Sequence, residues 1–201
     1  MSAIKLIPAS GGGSVSLSPP NSTSGADVTF TLPSTSQSFG KILQVVQTVK
    51  TDTSSVGAQY DSPADLGISC AITPTSASSK ILVDCNLNIG GQDMFGIYLF
   101  LVRGSTNILL GDAAGSRTRA SKYIDHYDSS GSNDEYNSVD VNIKYLDSPS
   151  YSVGDTITYK IQSAAYSANR NVYLNRNHND RDSADYSGRG TSTITLMEVA
   201  A

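Results

Sequence analysis

The chain has 201 residues and a formal net charge of −4 at pH 7, with 38% hydrophobic and 16% charged residues. Globular proteins usually carry about 25% charged residues, and here Ser, Thr, Gly and Asn take the missing share. Such a composition favours short strands joined by turns over helices, whose exposed faces prefer Glu, Lys and Arg. The acidic balance argues against a nucleic-acid-binding protein, since no basic stripe is present to neutralise phosphates.

The sequence also indicates no secretion leader and no membrane insertion. The start MSAIKLIPAS contains one Lys and an apolar run that is too short for a signal peptide. The longest apolar stretch, Ile97–Val102, is far shorter than a membrane span. We therefore expect a protein that is made, and that assembles, in the cytoplasm.

Residues 1–40 are predicted to form an extended anchoring arm. They are rich in Ser, Thr, Gly and Pro, and Asp27 is the one charge between residues 8 and 38. Such a segment buries too little apolar surface to become ordered alone. Three alternating segments, AIKLI, SVSLS and DVTFTL, are candidate strands, each too short to form a sheet by itself. We expect partners to order the arm around its apolar residues Val15, Leu17, Val28, Phe30 and Leu32.

From Lys41 onward, strand-like runs recur between turns. Leu66–Pro74 alternates apolar and polar residues, and Lys80–Gly91 does so over nine residues, which predicts strands with one polar face. These two runs are predicted to pair as a β-hairpin. Cys70 and Cys85 both fall on the apolar faces, which favours free buried thiols over a disulfide in a cytoplasmic chain.

The run Phe95–Gly104 is apolar on both faces, which predicts a central strand whose second face is covered by a sheet or by another subunit. It then turns through Ser105–Asn107 into a short strand. About eight to ten strands follow Lys41 at roughly ten-residue spacing, ending in a strand at the C-terminus. The predicted fold is therefore all-β, with an antiparallel, jelly-roll-like β-sandwich over residues 41–201.

The sequence contains few residues in arrangements that are typical of catalytic sites. The two histidines, His126 and His178, lack a metal-ligand spacing, and no Gly-x-Ser-x-Gly nucleophile motif occurs. We therefore expect no enzyme, no cofactor and no metal. A Ser/His/Asp site assembled from unrelated loops is not favoured by any motif.

The segment Lys122–Asn137 combines tyrosines with short polar side chains, a combination that suits recognition, including sugar binding. The alternative is an ordinary hydrophilic hairpin tip whose strand-end tyrosines pack inward. The candidate receptor-binding residues are Tyr123, His126, Tyr127, Asp128 and Tyr136.

The segment Asn175–Gly190 interleaves acidic and basic residues. Its three aspartates could hold calcium, which takes six to eight oxygen ligands, but the spacing of a known calcium loop is missing. A buried or inter-subunit ion network is favoured because guanidinium–carboxylate pairing is geometrically specific. Its predicted members are Arg117, Arg119, Asp180, Asp182 and Asp185.

The run GGGSVSLSPPNSTSGADVTFTLPS resembles a linker found in fibre and virion proteins of marine tailed phages. The pieces SSKILV, GDAAGSRTR and STITLMEVA resemble a domain that often follows that linker. The resemblance covers nearly the whole chain and implies a trimeric β-sandwich on the virion, at the end of a fibre or on the capsid or tail surface. The chain departs from the pattern because no long shaft separates linker from domain.

Together these observations predict a non-enzymatic virion protein. Residues 1–40 would anchor it to other capsid or tail proteins, and residues 41–201 would attach as a homotrimer to a host-surface glycan. Decoration and stabilisation of the capsid is the alternative. A glycan depolymerase is a remote alternative. It requires two carboxylates about 5–10 Å apart in one cleft, and the sequence implies no such cleft.

Overall fold

The structure is a computed structural model that describes residues 4–6, 15–17, 41–125 and 134–201. The chain divides into two compact units, Met1–Gln37 and Ser38–Ala201. In the described part of the chain, no helix is long and apolar enough to cross a membrane.

The first unit contains two of the three strands predicted for the arm. Strand β1 (Ile4–Leu6) pairs antiparallel with β2 (Val15–Leu17), so that Ile4 lies opposite Leu17 and Leu6 opposite Val15. The pairing therefore occurs within one chain. The third predicted segment, with Val28, Phe30 and Leu32, lies outside the described residues.

The second unit is an antiparallel β-sandwich, which confirms the predicted fold class. One sheet has the strand order β3-β13-β6-β12-β4, with β10 on the other edge of β6, and the second has the order β5-β11-β7-β8, with β9 also paired to β7. The strands are β3 (Ile42–Lys50), β4 (Ser54–Gly57), β5 (Ala64–Ile72), β6 (Lys80–Gly91), β7 (Ile97–Arg103), β8 (Thr106–Ile108), β9 (Lys122–Ile124), β10 (Ser138–Asp147), β11 (Ile157–Ala165), β12 (Asn171–Leu174) and β13 (Ser192–Val199), and a 3-10 turn covers Asp134–Tyr136.

The core lies between the inner faces of the two sheets, where the period-two pattern of the sequence places its apolar residues. Strand β6 buries every second side chain, and β5 and β11 oppose it in the same manner. Both cysteines are free and buried, as predicted. Burial, with the nearby Asp84 carboxylate, raises the pKa of the Cys85 thiol to about 12, so the thiol stays neutral.

The predicted hairpin between β5 and β6 is wrong. Strand β5 pairs with β11, whereas β6 lies in the other sheet beside β10, β12 and β13. The connection of residues 73–79 therefore crosses from one sheet to the other. Both strands alternate apolar and polar residues, as the strands of a hairpin do. They lie in different sheets, however, and their apolar faces meet across the core.

A buried carboxylate on β13 holds that crossing connection in place. Glu198 is fully buried, and it accepts hydrogen bonds from the backbone N–H groups of Thr75 and Ser76 at 2.9–3.1 Å. The amide of Gln44 donates to it at 2.7 Å. Burial alone would raise the pKa of Glu198, but the hydrogen bonds outweigh burial and lower it from 4.5 to about 2.

The second apolar face of β7 is covered by the chain itself and not by another sheet or subunit. Phe100 and Val102 form a small buried cluster with Ala164, and Leu110 and Ala120 pack against it. The covering segment of residues 109–121 is tied down by Ser121, whose N–H donates to the Leu99 carbonyl at 2.9 Å. Its hydroxyl accepts from the N–H of Leu101 at 2.8 Å.

The C-terminal strand is also completed within the chain. Strand β13 lies between β3 and β6, with Met197 opposite Val45 on one side and Leu82 on the other. Neither this strand nor β7 therefore requires a second copy to complete its pairing or its cover.

An ion pair between the last residues of β7 and β10 joins the two sheets. Asp147 of β10 is buried and accepts two hydrogen bonds from Arg103 of β7, at 2.7 and 2.8 Å. The hydroxyl of Tyr159 on β11 donates to the same carboxylate at 2.7 Å. The bond to Asp147 raises the pKa of Arg103, while burial, followed by the same carboxylate, raises that of Tyr159. The guanidinium of Arg103 therefore stays charged, and the hydroxyl of Tyr159 stays neutral, at neutral pH.

The strand registers give the sandwich two distinct ends. The terminal end carries Lys41 and Ala200, joined by a 2.7 Å backbone hydrogen bond, and the connections of residues 73–79, 104–105 and 148–156. The loop end carries the connections of residues 92–96, 166–170 and 175–191, together with residues 134–137 before β10. Lys41 and the end of β13 therefore lie at one end of the sandwich, and the longest described connection, residues 175–191, lies at the other.

We predict that Glu198→Gln lowers the free energy of unfolding at pH 7 by about 2–4 kcal/mol, because an amide cannot accept all the bonds of the buried carboxylate. The folded-state pKa is depressed, so its contribution is present above pH 4.5 and is lost as the pH falls toward 2. The variant should therefore show a smaller loss of stability over that range. Denaturant unfolding followed by circular dichroism at several pH values measures both effects.

The control is Asp112→Asn, which removes an exposed carboxylate from the covering segment. A Glu198→Gln protein as stable as this control at pH 7 would contradict the role assigned to Glu198.

Candidate functional site

The loop end brings together the two segments that the sequence marks as candidates for recognition. The backbone N–H of Asn179 donates to the carbonyl of Glu135 at 3.0 Å. The side-chain amide of Asn177 donates to the carbonyl of Tyr136 at 3.3 Å. The C-terminal part of the tyrosine-rich segment and the Asp/Arg-rich segment therefore form one surface.

The Asp/Arg-rich segment is anchored by a buried asparagine at its start. Asn175 has a φ of 64°, a left-handed conformation that asparagine tolerates better than most residues. Its amide donates to the carbonyls of Lys50 and Asp52 at 2.8 and 2.9 Å. Its side-chain oxygen accepts from the hydroxyl of Ser192 at 2.6 Å, so the two ends of the segment are joined at its base.

Two glycines allow this segment to lie directly on the end of β6. A Cβ at Gly90 would stand 2.2 Å from the carbonyl oxygen of Arg176, and a Cβ at Gly190 would stand 2.7 Å from the side chain of Asn88. Backbone atoms cannot yield as a flexible side chain can, so Gly90 is the stricter requirement. Both positions set how closely the segment approaches the sheet.

Asn177 determines the spacing of two tyrosines. Its side chain is 4% exposed, and its amide donates to the carbonyl of Tyr186 at 3.0 Å as well as to that of Tyr136. Its side-chain oxygen accepts from the backbone N–H of Asp180 at 2.9 Å. One buried amide therefore holds three backbone positions from two segments in a fixed arrangement.

A cleft with an aromatic pair lies above this amide. The rings of Tyr136 and Tyr186 have centroids 5.8 Å apart and planes inclined by 51°. Tyr186 is 55% exposed, which leaves much of its side chain accessible to a ligand. The cleft has a volume of about 250 Å³ and is lined by Asn88, Tyr136, Tyr186, Gly188, Arg189 and Gly190.

Charges beside the cleft are balanced within the same segment. Arg189 forms an ion pair with Asp180, and Arg176 lies 3.6 Å from the other oxygen of that carboxylate. The guanidinium of Arg176 also stacks 3.9 Å from the ring centre of Tyr173. The hydroxyl of Tyr173 lies 2.7 Å from Nδ1 of His178, which fixes the imidazole beside it.

The predicted ion network has different members in the structure. Asp180 pairs with Arg176 and Arg189 of its own segment instead of with Arg117 or Arg119. Those two arginines donate to the carbonyls of Ala114 and Gly111, because the covering segment folds back on itself over β7. Among the described residues, Asp182 and Asp185 form no ion pair.

No calcium site is indicated at these aspartates within the part of the chain that the structure describes. There, no group of three or more His, Cys, Asp or Glu side chains is arranged as metal ligands. Asp180, the best placed of them, is already neutralised by two arginines.

The two predicted receptor-binding residues that the structure describes, Tyr123 and Tyr136, lie in different surroundings. Tyr123 lies on β9, where its ring packs 5.0 Å from that of Tyr98 and its hydroxyl donates to Asp125 at 3.1 Å. Burial, followed by the bond to Asp125, raises the pKa of Tyr123. Tyr136 lies in the cleft with Tyr186. The remaining three, His126, Tyr127 and Asp128, are outside the described residues.

Sequence reasoning missed five residues of the cleft, namely Tyr186, Asn88, Asn177, Gly188 and Gly190. Tyr186 stands in a segment whose charges drew the interpretation toward ions and metal. The sequence did contain one signal for this site, the three closely spaced asparagines directly after β12. Asparagine is favoured where a chain turns, because its side chain hydrogen-bonds nearby backbone groups.

Comparison with known proteins found no family model that matches the chain and no curated protein with significant similarity to it. The assignment of a function to the cleft therefore depends on its geometry and chemistry.

We predict that Asn177→Ala speeds amide hydrogen exchange in residues 176–190 and lowers the free energy of unfolding by about 1–3 kcal/mol, because buried carbonyls lose their donor. Hydrogen–deuterium exchange with mass spectrometry measures the first effect. Asn107→Ala, at an exposed position of β8, is the control. Unchanged exchange in residues 176–190 would show that Asn177 does not hold the cleft.

Proposed function

We propose that this chain is a non-enzymatic structural protein of a tailed-phage virion, a trimeric knob that attaches to the host surface. Residues 1–40 anchor the knob to other virion proteins, and residues 41–201 present the sandwich outward. The proposal combines the resemblance of the sequence to phage linkers and fibre domains with the arrangement of the sandwich.

The single observation that carries the attachment role is the separation of the two ends of the sandwich. Lys41, where the domain begins, and the last residues of β13 lie together on the terminal end, while the tyrosine cleft lies on the loop end. An attachment domain needs this order, because its binding surface must face away from the particle that carries it. Binding residues on connections positioned by a rigid sheet suit the same role.

Attachment and location are tested together on virions and on cells. Antibodies against residues 41–201 should label, in electron microscopy, the tail or fibre tips of tailed virions whose genome encodes the chain. The fluorescently labelled full chain should bind saturably to some strains in a panel of marine bacteria. Its mass in solution should be about three times the 21.2 kDa of one chain. The proposal would be refuted if the chain were a monomer in solution, bound to no strain, and the antibodies labelled no virion.

One feature favours capsid decoration as a second candidate function. The outer face of the larger sheet carries an apolar row that crosses four strands, because the registers place Val45 beside Met197, Met197 beside Leu82, and Leu82 beside Leu146. Val45 is 55% and Leu146 45% exposed. Contiguous exposed apolar surface marks contact sites in many proteins, and a row on the side of the sandwich suits contacts with neighbours in a shell.

The decoration role predicts that Leu146→Lys weakens binding of the chain to capsids that lack it by at least tenfold, because a lysine ammonium disfavours burial in an apolar contact. Val153→Lys, at an exposed apolar position on the 148–156 connection, is the matched control. Co-sedimentation with the capsids measures the difference. Equal binding of both variants, or no capsid binding by the unaltered chain, would remove this candidate.

A further inference from the structure

The tyrosine cleft has the chemistry of a saccharide site, and this inference rests on the attachment role proposed above. Tyrosine rings offer apolar faces against which the C–H groups of a sugar ring can pack, while their hydroxyls remain available for hydrogen bonds. The exposed ring of Tyr186 stands beside the partly exposed ring of Tyr136. The inclination of 51° between them makes a notch instead of a flat surface.

The polar lining of the cleft can bond to hydroxyl groups. The Asn88 amide and the Arg189 guanidinium border the notch, and Asn88 is held in orientation because its Nδ2 donates to Asp140 at 2.9 Å. Gly188 is exposed, and a Cβ there would meet no atom within 4 Å, so its backbone is open to a ligand. A sugar hydroxyl both donates and accepts, so it can satisfy amide, guanidinium and carbonyl groups together.

The charge and size of the cleft narrow the class of ligand. Arg189 pairs with Asp180, and the segment of residues 175–190 as a whole carries three arginines and three aspartates, so the wall of the cleft has no net charge to select an anion. A volume of about 250 Å³ lies below the roughly 300–1,000 Å³ of pockets that enclose drug-sized ligands. The cleft therefore suits one ring of a larger glycan and not a whole oligosaccharide.

The arrangement is also preformed, which reduces the entropy lost on binding. The buried Asn177 amide fixes the carbonyls of both tyrosines, and Gly90 seats the segment on the rigid end of β6. The site thus resembles an antibody surface in its use of tyrosine and asparagine, but its support is a sheet.

We propose that the cleft between Tyr136 and Tyr186 binds a neutral hexopyranose unit of a host-surface glycan, stacked on Tyr186 and hydrogen-bonded by Asn88 and Arg189.

The test starts with the full chain on an array of neutral and acidic hexopyranosyl glycans, followed by titration with the glycan that gives the strongest signal. The chain contains no Trp and 11 Tyr, so tyrosine fluorescence follows the titration, and the part of the change that is lost in Tyr186→Ala is assigned to the cleft. Tyr186→Ala should weaken binding at least tenfold, and Asn88→Ala should weaken it several-fold. Neutral glycans should bind more tightly than their acidic counterparts.

The matched control is Tyr60→Ala, which removes a tyrosine of comparable exposure, 42%, that lies outside the lining of the cleft. It should bind as the unaltered chain does. Circular dichroism and thermal unfolding of each variant establish that its fold is retained, which is expected since Tyr186 is largely exposed.

The outcomes separate this inference from the attachment role. Cells that are bound by the unaltered chain and equally by Tyr186→Ala would overturn the cleft while attachment stands. An array without any bound glycan, or one with only acidic glycans bound, would overturn the proposed ligand. Glycan binding lost in Tyr186→Ala, together with no binding to any strain and no labelled virion, would support the cleft and refute attachment.

Discussion

The buried face of β6 is the constraint on which the rest of the structure depends. Its alternate side chains from Ile81 to Ile89 are fully buried, and each of the four aliphatic ones contributes about 1.5–3 kcal/mol when removed from water. The strand also pairs with β10, β12 and β13, so it sets the register of most of the larger sheet. At its far end, Asn88 and Gly90 extend the same strand into the base of the cleft.

The terminal end is held by buried charges. Glu198 satisfies the backbone of the connection that crosses between the sheets, and Asp147 joins Arg103 and Tyr159 across them. Removing one partner from such a group leaves an uncompensated buried charge, which is costly. This end is therefore cross-linked where the chain enters the domain at Lys41 and where β13 ends.

The loop end is held mainly by amides. Asn175 and Asn177 satisfy the carbonyls of the connecting segments, and arginines neutralise Asp180 at the surface. Amides hold a segment without placing net charge beneath it, so a cleft above them can accept a neutral ligand. The same contacts explain why the Asp/Arg-rich segment, which suggests ions or metal when considered alone, instead forms the wall of a tyrosine cleft.

The sequence by itself determined most of the strands, though not β4, together with their buried faces, the free thiols and the sandwich class, because period-two alternation is a local property of a strand. It did not determine which strands pair. The hairpin assigned to β5 and β6 is wrong because the carboxylate that fixes their connection, Glu198, lies more than a hundred residues later in the chain. For the same reason, the cover of β7 and the meeting of Tyr136 with Tyr186 were decided by the tertiary structure. Contacts between distant segments leave no periodic trace in either segment, so only the packed sheets bring them together.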